Sequence, residues 1–362
     1  MTIDELFNIE IWDTDPELYR QSVDKWDSIA KPIDGLGYFE EMISRIAAAQ
    51  GRVCPDISRK AMIIMCADNG VFEEGVSQTE QKVTRDVAEL MGRKMSSVGI
   101  MAKDYRADFF VYDVGINSQD IPAGVIDAKI RRGTSDFLKE PAMTEDECLK
   151  AIDTGIAAVK KCTEEGYGII ATGEMGIGNT TTSTALLCAL KGLDPGTVTG
   201  RGAGLSGRGL EKKISVIERG IEKYRGGRKK QAITAKDEAF EALRCMGGLD
   251  IAGLAGVFIG GALYHVPIVI DGLISATAAY TAEKLVPGCR NYMIASHVGR
   301  ENGMDIILDE LSLIPVICAN LALGEGTGAL LLFPMLDMVK SLYDSGTSFS
   351  DTEIKKYERF EE

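Results

Sequence analysis

Five short apolar runs punctuate the chain. AMIIMCA (61–67), ADFFVYDV (107–114), YGIIAT (167–172), VPIVID (266–271) and the weaker NYMIAS (291–296) have the length and composition of strands buried on both faces. Longer stretches with apolar residues at helical spacing lie between them. One is TEDECLKAIDTGIAAVKKC (144–162), which opens with Thr144 and Glu147 at the three-residue offset of a capping box. Continuous apolar strands alternating with helices predict an α/β fold, with a mainly parallel sheet covered by helices on both faces in the Rossmann-like manner.

The two ends read differently. The first 60 residues show no strand, only polar helical text over residues 15–31 and a second helix after Gly37, and the last 60 are mainly helical. Residues 1–60 and about 300–362 are therefore expected to form a small helical domain beside a large α/β domain of residues 61–300. Residues 224–237, with Arg225, Arg228, Lys229 and Lys230, read as a hydrophilic connector whose charges face solvent. The apolar span 249–286 is broken by His265, Pro267 and Asp271 and is rich in Gly and Ala, so a buried helix followed by a buried strand is expected rather than a membrane span.

Composition narrows the partners. A chain of 362 residues buries a large core, and its net charge of -14 without a basic stripe opposes binding to nucleic acid or to an anionic membrane. Any anionic substrate must therefore find backbone amides and a few placed cations against the overall field. Eight cysteines are scattered without a C-x-x-C pair and read as reduced, buried thiols. Two histidines, His265 and His297, make no metal-binding pattern, so neither a metal nor another cofactor is expected. The acidic start lacks the basic and apolar segments of a signal peptide, which points to the cytoplasm.

Five segments carry candidate chemistry. TGEMGIGNTTT (172–182) follows a strand and opens a helix, so its glycines and first-turn amides suit a phosphate; a structural turn capped by Asn179 or a threonine fits the same text. It has neither a P-loop ending nor dinucleotide spacing. GRGAGL (200–205), followed by Lys213 on a helix-like segment, completes such a site or is merely a surface loop. LGEGTG (323–328) places Glu325 between glycines beside apolar text, where partial desolvation raises a carboxylate's proton affinity as a general base requires; a solvated loop glutamate is the alternative. Asp68 and Asp271 end strands where an α/β sheet forms its ligand crevice, and each equally suits capping the helix that follows.

Taken in order, KPIDGLG from Lys31, CADNGVFEEGVS from Cys66, DVGI at Asp113, GEMGIGNTT from Gly173, VIDGLIS around Asp271, SH at Ser296 and LGEGTGA from Leu323 resemble the nicotinate-nucleotide:dimethylbenzimidazole phosphoribosyltransferase family over most of the chain. The resemblance implies a homodimer that transfers phosphoribosyl from nicotinate mononucleotide to a benzimidazole-type base, giving α-ribazole phosphate for the lower ligand of cobalamin. It implies Glu325 as general base. Glu174, Gly176, Gly202 and Lys213 would line the ribose phosphate and nicotinate region beside Gly178, Asn179, Thr180 and Asp271, while Met175, Leu323 and the loop around Thr79 would hold the flat base. The chain departs from the family at Asn69, where many relatives have His, and at Glu80, where a proline is frequent; these changes bear on which base is accepted rather than on the reaction.

The implied chemistry suits this inventory. Nicotinate joined through its ring nitrogen is a cationic leaving group that departs without metal help, and Glu325 would remove the incoming ring's proton as the new bond forms. Attack opposite the leaving group turns a β-nucleotide into an α-nucleotide. A pyrophosphate donor would need a magnesium-bridged acidic motif, whereas VIDGLIS carries one acid. Two rivals stay open: the same reaction on phenolic or purine bases, and a non-catalytic α-riboside-binding homologue.

Overall fold

Lys60–Ala67 (β1) is buried at every position, and its side chains alternate between two cores because successive residues of a strand face opposite sides. Ala61, Ile63 and Met65 enter one apolar cluster, whereas Met62, Ile64 and Cys66 enter another. In this computed structural model, which describes residues 1–103, 105–227 and 234–359, β1 pairs in parallel with Asp108–Gly115 (β2) and Ile169–Met175 (β4). Ile126–Asp127 (β3), Ile268–Ile270 (β5) and Met293–Ala295 (β6) complete a parallel sheet of order β3-β2-β1-β4-β5-β6. His297–Gly299 (β7) and Ile317–Leu321 (β8) form a separate parallel pair. The five predicted strands are all present. The β7–β8 pair and β3 were not foreseen, being only two to five residues long and, in β8, largely exposed.

The helices are Ile3–Phe7 (α1), Pro16–Ser28 (α2), Tyr38–Ala49 (α3), Lys82–Gly92 (α4), Ser97–Met101 (α5), Glu145–Glu164 (α6), Asn179–Lys191 (α7), Pro195–Val198 (α8), Gly207–Gly227 (α9), Ala235–Met246 (α10), Leu249–Leu263 (α11), Leu273–Leu285 (α12), Met304–Leu311 (α13) and Thr327–Ser345 (α14). The Thr144 capping box starts α6 as its spacing predicts. The span 249–286 divides into α11, β5 and α12, all deeply buried, and among the described residues no helix is long and apolar enough to cross a membrane. Part of the expected connector is helical instead. Tyr224 and Arg225 belong to the last turns of α9, Thr234 caps α10, and Arg228, Lys229 and Lys230 lie outside the described residues. The cysteines are all free, but Cys54 and Cys318 are exposed rather than buried.

Both chain ends meet on the second face of the sheet. Trp26 of α2 and Ile43 and Ile46 of α3 share a cluster with Phe333, Leu336 and Tyr343 of α14. The Tyr343 hydroxyl reaches Ser22 Oγ at 2.9 Å and donates to the Val53 carbonyl at 2.6 Å, and Ile29 bridges to Ser348. The first helix goes elsewhere: Leu6 of α1 packs into the opposite cluster, and Phe7 meets Phe240 of α10 edge-on.

The tightest helix pair is α6 against α11, and glycine permits it. A Cβ on Gly256 would stand 1.9 Å from the Ile152 carbonyl oxygen, and one on Gly155 would stand 2.0 Å from that of Gly253. Backbone cannot yield to a methyl group there as a side-chain end would. Gly256→Ala is therefore expected to destabilise the fold by about 2–3 kcal/mol, as overpacked cores do. Urea unfolding checks this, and an unchanged midpoint would show that the helices part freely.

Candidate active site

The winding of the sheet reverses between β1 and β4, and loops leaving the carboxyl ends of strands diverge at such a point to leave a crevice. Here the crevice is a cavity of about 330 Å³. Residues 76–79 after β1, residues 174–180 at the end of β4, Asp271 and Gly272 after β5, and residues 321–325 at the end of β8 line it, with Arg201, Gly202 and Ala203 on a further wall. Its size suits a small organic substrate.

The loop after β4 is built for close approach. Gly178, at φ +97°, is the N-cap of α7 and needs glycine at that angle; Asn179 is the first helical residue and not the cap. The amides of Asn179 and Thr181 are already bonded to the carbonyls of Gly176 and Gly178, so among the described residues the unengaged amides of this first turn are those of Gly178 and Thr180. Gly202, at φ +51°, lies against Thr180, where a Cβ would come 2.8 Å from Oγ1. Lys213 reaches the same point from α9: its Nζ donates to Thr180 Oγ1 at 2.9 Å and to the Gly200 carbonyl at 3.1 Å. This lysine is 1% exposed, and no carboxylate pairs with it among the described residues. Burial pulls its ammonium down to about 8, against a partly compensating field from Glu301. A buried cation held only by neutral acceptors calls for an anion.

The carboxylates around it are restrained. Glu174 is pushed up to about 8 by burial, with the Asn179 amide pulling the other way and Asp250 adding to the rise. It is therefore protonated near neutrality and does not repel a neighbouring anion. Asn179 Nδ2 donates to Glu174 Oε2 and, at 3.2 Å, to Asp250 Oδ2, so a single amide ties together two buried acids. Asp250 is itself raised to about 6 by burial. Asp271 has both oxygens committed: Oδ2 accepts from the Gly326 amide at 3.2 Å, and Oδ1 accepts from Gly328 at 2.9 Å and Ala329 at 3.1 Å. It does cap a helix, but this is α14 across the crevice and not α12, which follows it and has no side-chain cap. Asp68 neither caps nor lines the cavity; it accepts from the Thr84 hydroxyl at 2.6 Å and the Asn117 amide at 2.8 Å.

Glu325 stands at the far wall. It has φ +61°, between Gly324 at +79° and Gly326 at +88°, a left-handed stretch in which it alone carries a side chain. Such a conformation costs about 1–3 kcal/mol and persists only where its surroundings impose it. Asp271 supplies that constraint on one side. On the other, Glu325 Oε2 accepts from the Val98 amide of α5 at 3.1 Å, while Oε1 accepts nothing among the described residues. The carboxylate is half-buried and lines the cavity.

A family model described as phosphoribosyltransferase matches residues 11–354. The nicotinate-nucleotide–dimethylbenzimidazole phosphoribosyltransferase of Ruminiclostridium cellulolyticum is 40% identical over 361 residues, covering 100% of both chains. The enzyme of that name from Clostridium acetobutylicum is 40% identical over 331 residues, 91% of this chain and 92% of its own. The crystal structure of CobT from Thermus thermophilus superposes with a TM-score of 0.87 at 34% identity, covering 94% of this chain and 100% of that one. The chain belongs to the nicotinate-nucleotide–dimethylbenzimidazole phosphoribosyltransferase family.

Thr79, Glu174, Met175, Gly176, Gly178, Asn179, Thr180, Gly202, Asp271, Leu323 and Glu325 all line the one cavity, and Lys213 lies directly behind Thr180. Reading the sequence assigned no site role to Glu301 and His297, which stand on the same walls, because one sits in polar loop text and the other just follows a weak apolar run. The two departures from the family bear on the base less than their positions in the text suggest. Asn69 is wholly buried, accepting from Thr182 Oγ1 at 3.2 Å, and Glu80 is exposed; neither lines the cavity.

Lys213 gives a test with a definite sign. Its folded pKa lies below its unfolded value of 10.5, so the folded chain holds fewer protons between pH 8 and 10.5 and stability from this group rises with pH across that window. Below pH 8 the cost of the buried charge is fully present. Lys213→Met is thus expected to make the unliganded protein roughly 1–3 kcal/mol more stable at pH 7. It should also abolish the stabilisation that inorganic phosphate gives the wild type. Thermal melts with and without phosphate read both effects, and equal phosphate responses in the two proteins would remove Lys213 from the anion site.

Proposed function

We propose that this cavity transfers phosphoribosyl from nicotinate mononucleotide to 5,6-dimethylbenzimidazole or a related base, releasing nicotinate and giving α-ribazole phosphate. The observation that carries the reading is a strained, half-buried carboxylate at Glu325 on the wall of a cavity whose opposite wall, at Thr180, is backed by the buried Lys213 ammonium, which has no ion-pair partner among the described residues. The names of the relatives support the substrates. In this reading the 5′-phosphate meets the Gly178 and Thr180 amides beside Lys213, and protonated Glu174 leaves that anion unopposed. The flat base enters between Met175, Leu323 and the loop carrying Thr79. Glu325 Oε1 takes the ring N–H proton as the ring's other nitrogen attacks the sugar carbon from the face opposite nicotinate. Val98 holds the second oxygen, so the carboxylate is oriented before the base arrives. Nicotinate leaves as a neutral ring nitrogen, and the step is mainly catalysis by positioning together with one proton transfer.

Glu325→Gln keeps the shape and removes the proton acceptor. Turnover measured as nicotinate release is expected to fall at least about 100-fold, the contribution of a general base, while the KM for nicotinate mononucleotide changes little. Full turnover in this variant would refute the assignment. Running the wild type against benzimidazoles, purines and phenols identifies the accepted base, and no release with any of them would favour a binding protein.

A homodimer belongs to the same proposal. Leu331, Met338 and Leu342 expose apolar side chains at helical spacing along α14, beside exposed Ile100 and Met101 on α5. Contiguous exposed apolar surface marks a protein interface, and a second copy of this chain is the occupant proposed. Light scattering is expected to give twice the mass of one chain, with Met338→Asp shifting it toward one; a monomeric wild type would overturn the proposal. We also take α2, α3 and α14 as the core of the smaller helical unit, and the reducing cytoplasm as a setting that suits eight free cysteines.

A further inference from the structure

Beyond the groups already assigned, one imidazole on the cavity wall has a fixed hydrogen-bonding state and an unused nitrogen. His297 begins β7 and is 4% exposed. Ser296 Oγ lies 2.6 Å from the Ile270 carbonyl and 2.9 Å from His297 Nδ1. A carbonyl can only accept, so the single hydroxyl proton of Ser296 goes to Ile270, and Ser296 must accept from Nδ1–H. The proton of the neutral ring is thereby placed on Nδ1, and Nε2 presents a lone pair. Nε2 makes no hydrogen bond to the described residues. It faces Gly299, where even a Cβ would stand 3.7 Å away, and both residues line the cavity. Asp271, the acid whose field acts on this ring, has its oxygens committed to three amides of α14, and burial itself favours the uncharged imidazole.

A lone pair selects for donors. The phosphate and the carboxylate of nicotinate mononucleotide are acceptors, and the N–H of the incoming base is the proton assigned to Glu325. The donors that remain are the hydroxyls of the ribose. We propose that His297 Nε2 accepts a hydrogen bond from a ribose hydroxyl of the nucleotide, and that Ser296, by fixing the tautomer, makes this position discriminate ribose from deoxyribose. The proposal rests on the transferase reading above and adds to it a specificity-determining residue for the sugar. Gly299 leaves the space in which that hydroxyl sits.

The experiment compares kcat/KM for nicotinate mononucleotide and its 2′-deoxy and 3′-deoxy analogues in the wild type, His297→Leu, His297→Gln and Ser296→Ala. The wild type is expected to disfavour one deoxy analogue by about tenfold or more, the value of one net hydrogen bond in a closed site. His297→Leu should level that preference by losing rate with the parent nucleotide while handling the analogue as the wild type does. His297→Gln, whose amide oxygen can accept near the place of Nε2, should keep part of it. Ser296→Ala leaves the ring in place but frees its tautomer, and should weaken the preference even if the leucine variant does not fold. Equal deoxy discrimination in the wild type and in both the leucine and alanine variants overturns the proposal. So does a change in the preference for nicotinate over nicotinamide mononucleotide, which would mean a protonated ring binding the carboxylate. Calorimetric binding of the same nucleotides reads the preference without turnover, so a chain that binds but releases no nicotinate would fail the transferase reading and still test His297.

Discussion

Three hydrogen bonds donated by the amides of Gly326, Gly328 and Ala329 to the Asp271 carboxylate hold the site together. They join the end of β5 to the first turn of α14, where unpaired amides and the helix dipole favour a negative charge. A carboxylate that accepts three amides is strongly fixed, because charge-assisted bonds are shorter and stronger than neutral ones. That anchor makes the left-handed turn at residues 324–326 tenable and aims Glu325 into the cavity rather than into solvent. It also fills the helix N-terminus with the protein's own anion. The other helix start at the crevice, that of α7, holds no such carboxylate, and Lys213 lies beside it on neutral acceptors, which is why the proposed phosphate site is placed there.

A chain with a net charge of -14 and several acids near its crevice has to bind an anion without expelling it. The solution lies in the state of each group rather than in their number. Glu174 carries its proton near neutrality because burial opposes ionisation, and Asp271 has its charge distributed over three amides. Glu301 is likewise raised by burial. Against these acids stand Arg201 on the cavity wall and, behind Thr180, a buried lysine whose charge is costly until an anion arrives. An anion bound beside Lys213 would relieve that cost, which the unliganded protein carries.

Much of this was legible in the text because buried parallel strands write themselves as continuous apolar runs, and glycine loops that follow them can be read as ligand turns. AMIIMCA and YGIIAT gave β1 and β4, and the order of short motifs gave the family. What escaped was set by contacts distant in sequence. Nothing near Asp271 says that its oxygens reach residues more than fifty positions on, and nothing near Asn179 says that Gly178 takes the cap while Asn179 bridges Glu174 to Asp250. The short β7–β8 pair lacks the burial that makes a strand visible. Asn69 looked like a variable contact because it follows a strand end, yet its side chain turns into the core and bonds to Asp250 and Thr182.

The interior position of that strand end ties the loop that carries Thr79 to the glycine turn after β4. Thr84, fully buried on α4, donates its hydroxyl to Asp68 Oδ1 at 2.6 Å and accepts the Ile177 amide at 3.0 Å. The Ile177 carbonyl in turn accepts the Asn69 amide at 3.2 Å. Helix α4 follows directly on the loop that carries Thr79, and Gln78 of that loop bonds to the Ala203 carbonyl beside Gly202. The wall expected to hold the base is thus tied to the glycine turn after β4 at one end and to the second glycine loop at the other. A hydroxyl with one donor and one acceptor role filled has no freedom to rotate, and a chain of such bonds is stiffer than its members. For a reaction that gains its rate by holding two planar rings on opposite faces of one sugar carbon, a displacement of one loop against the other by even an ångström would be felt directly in the barrier.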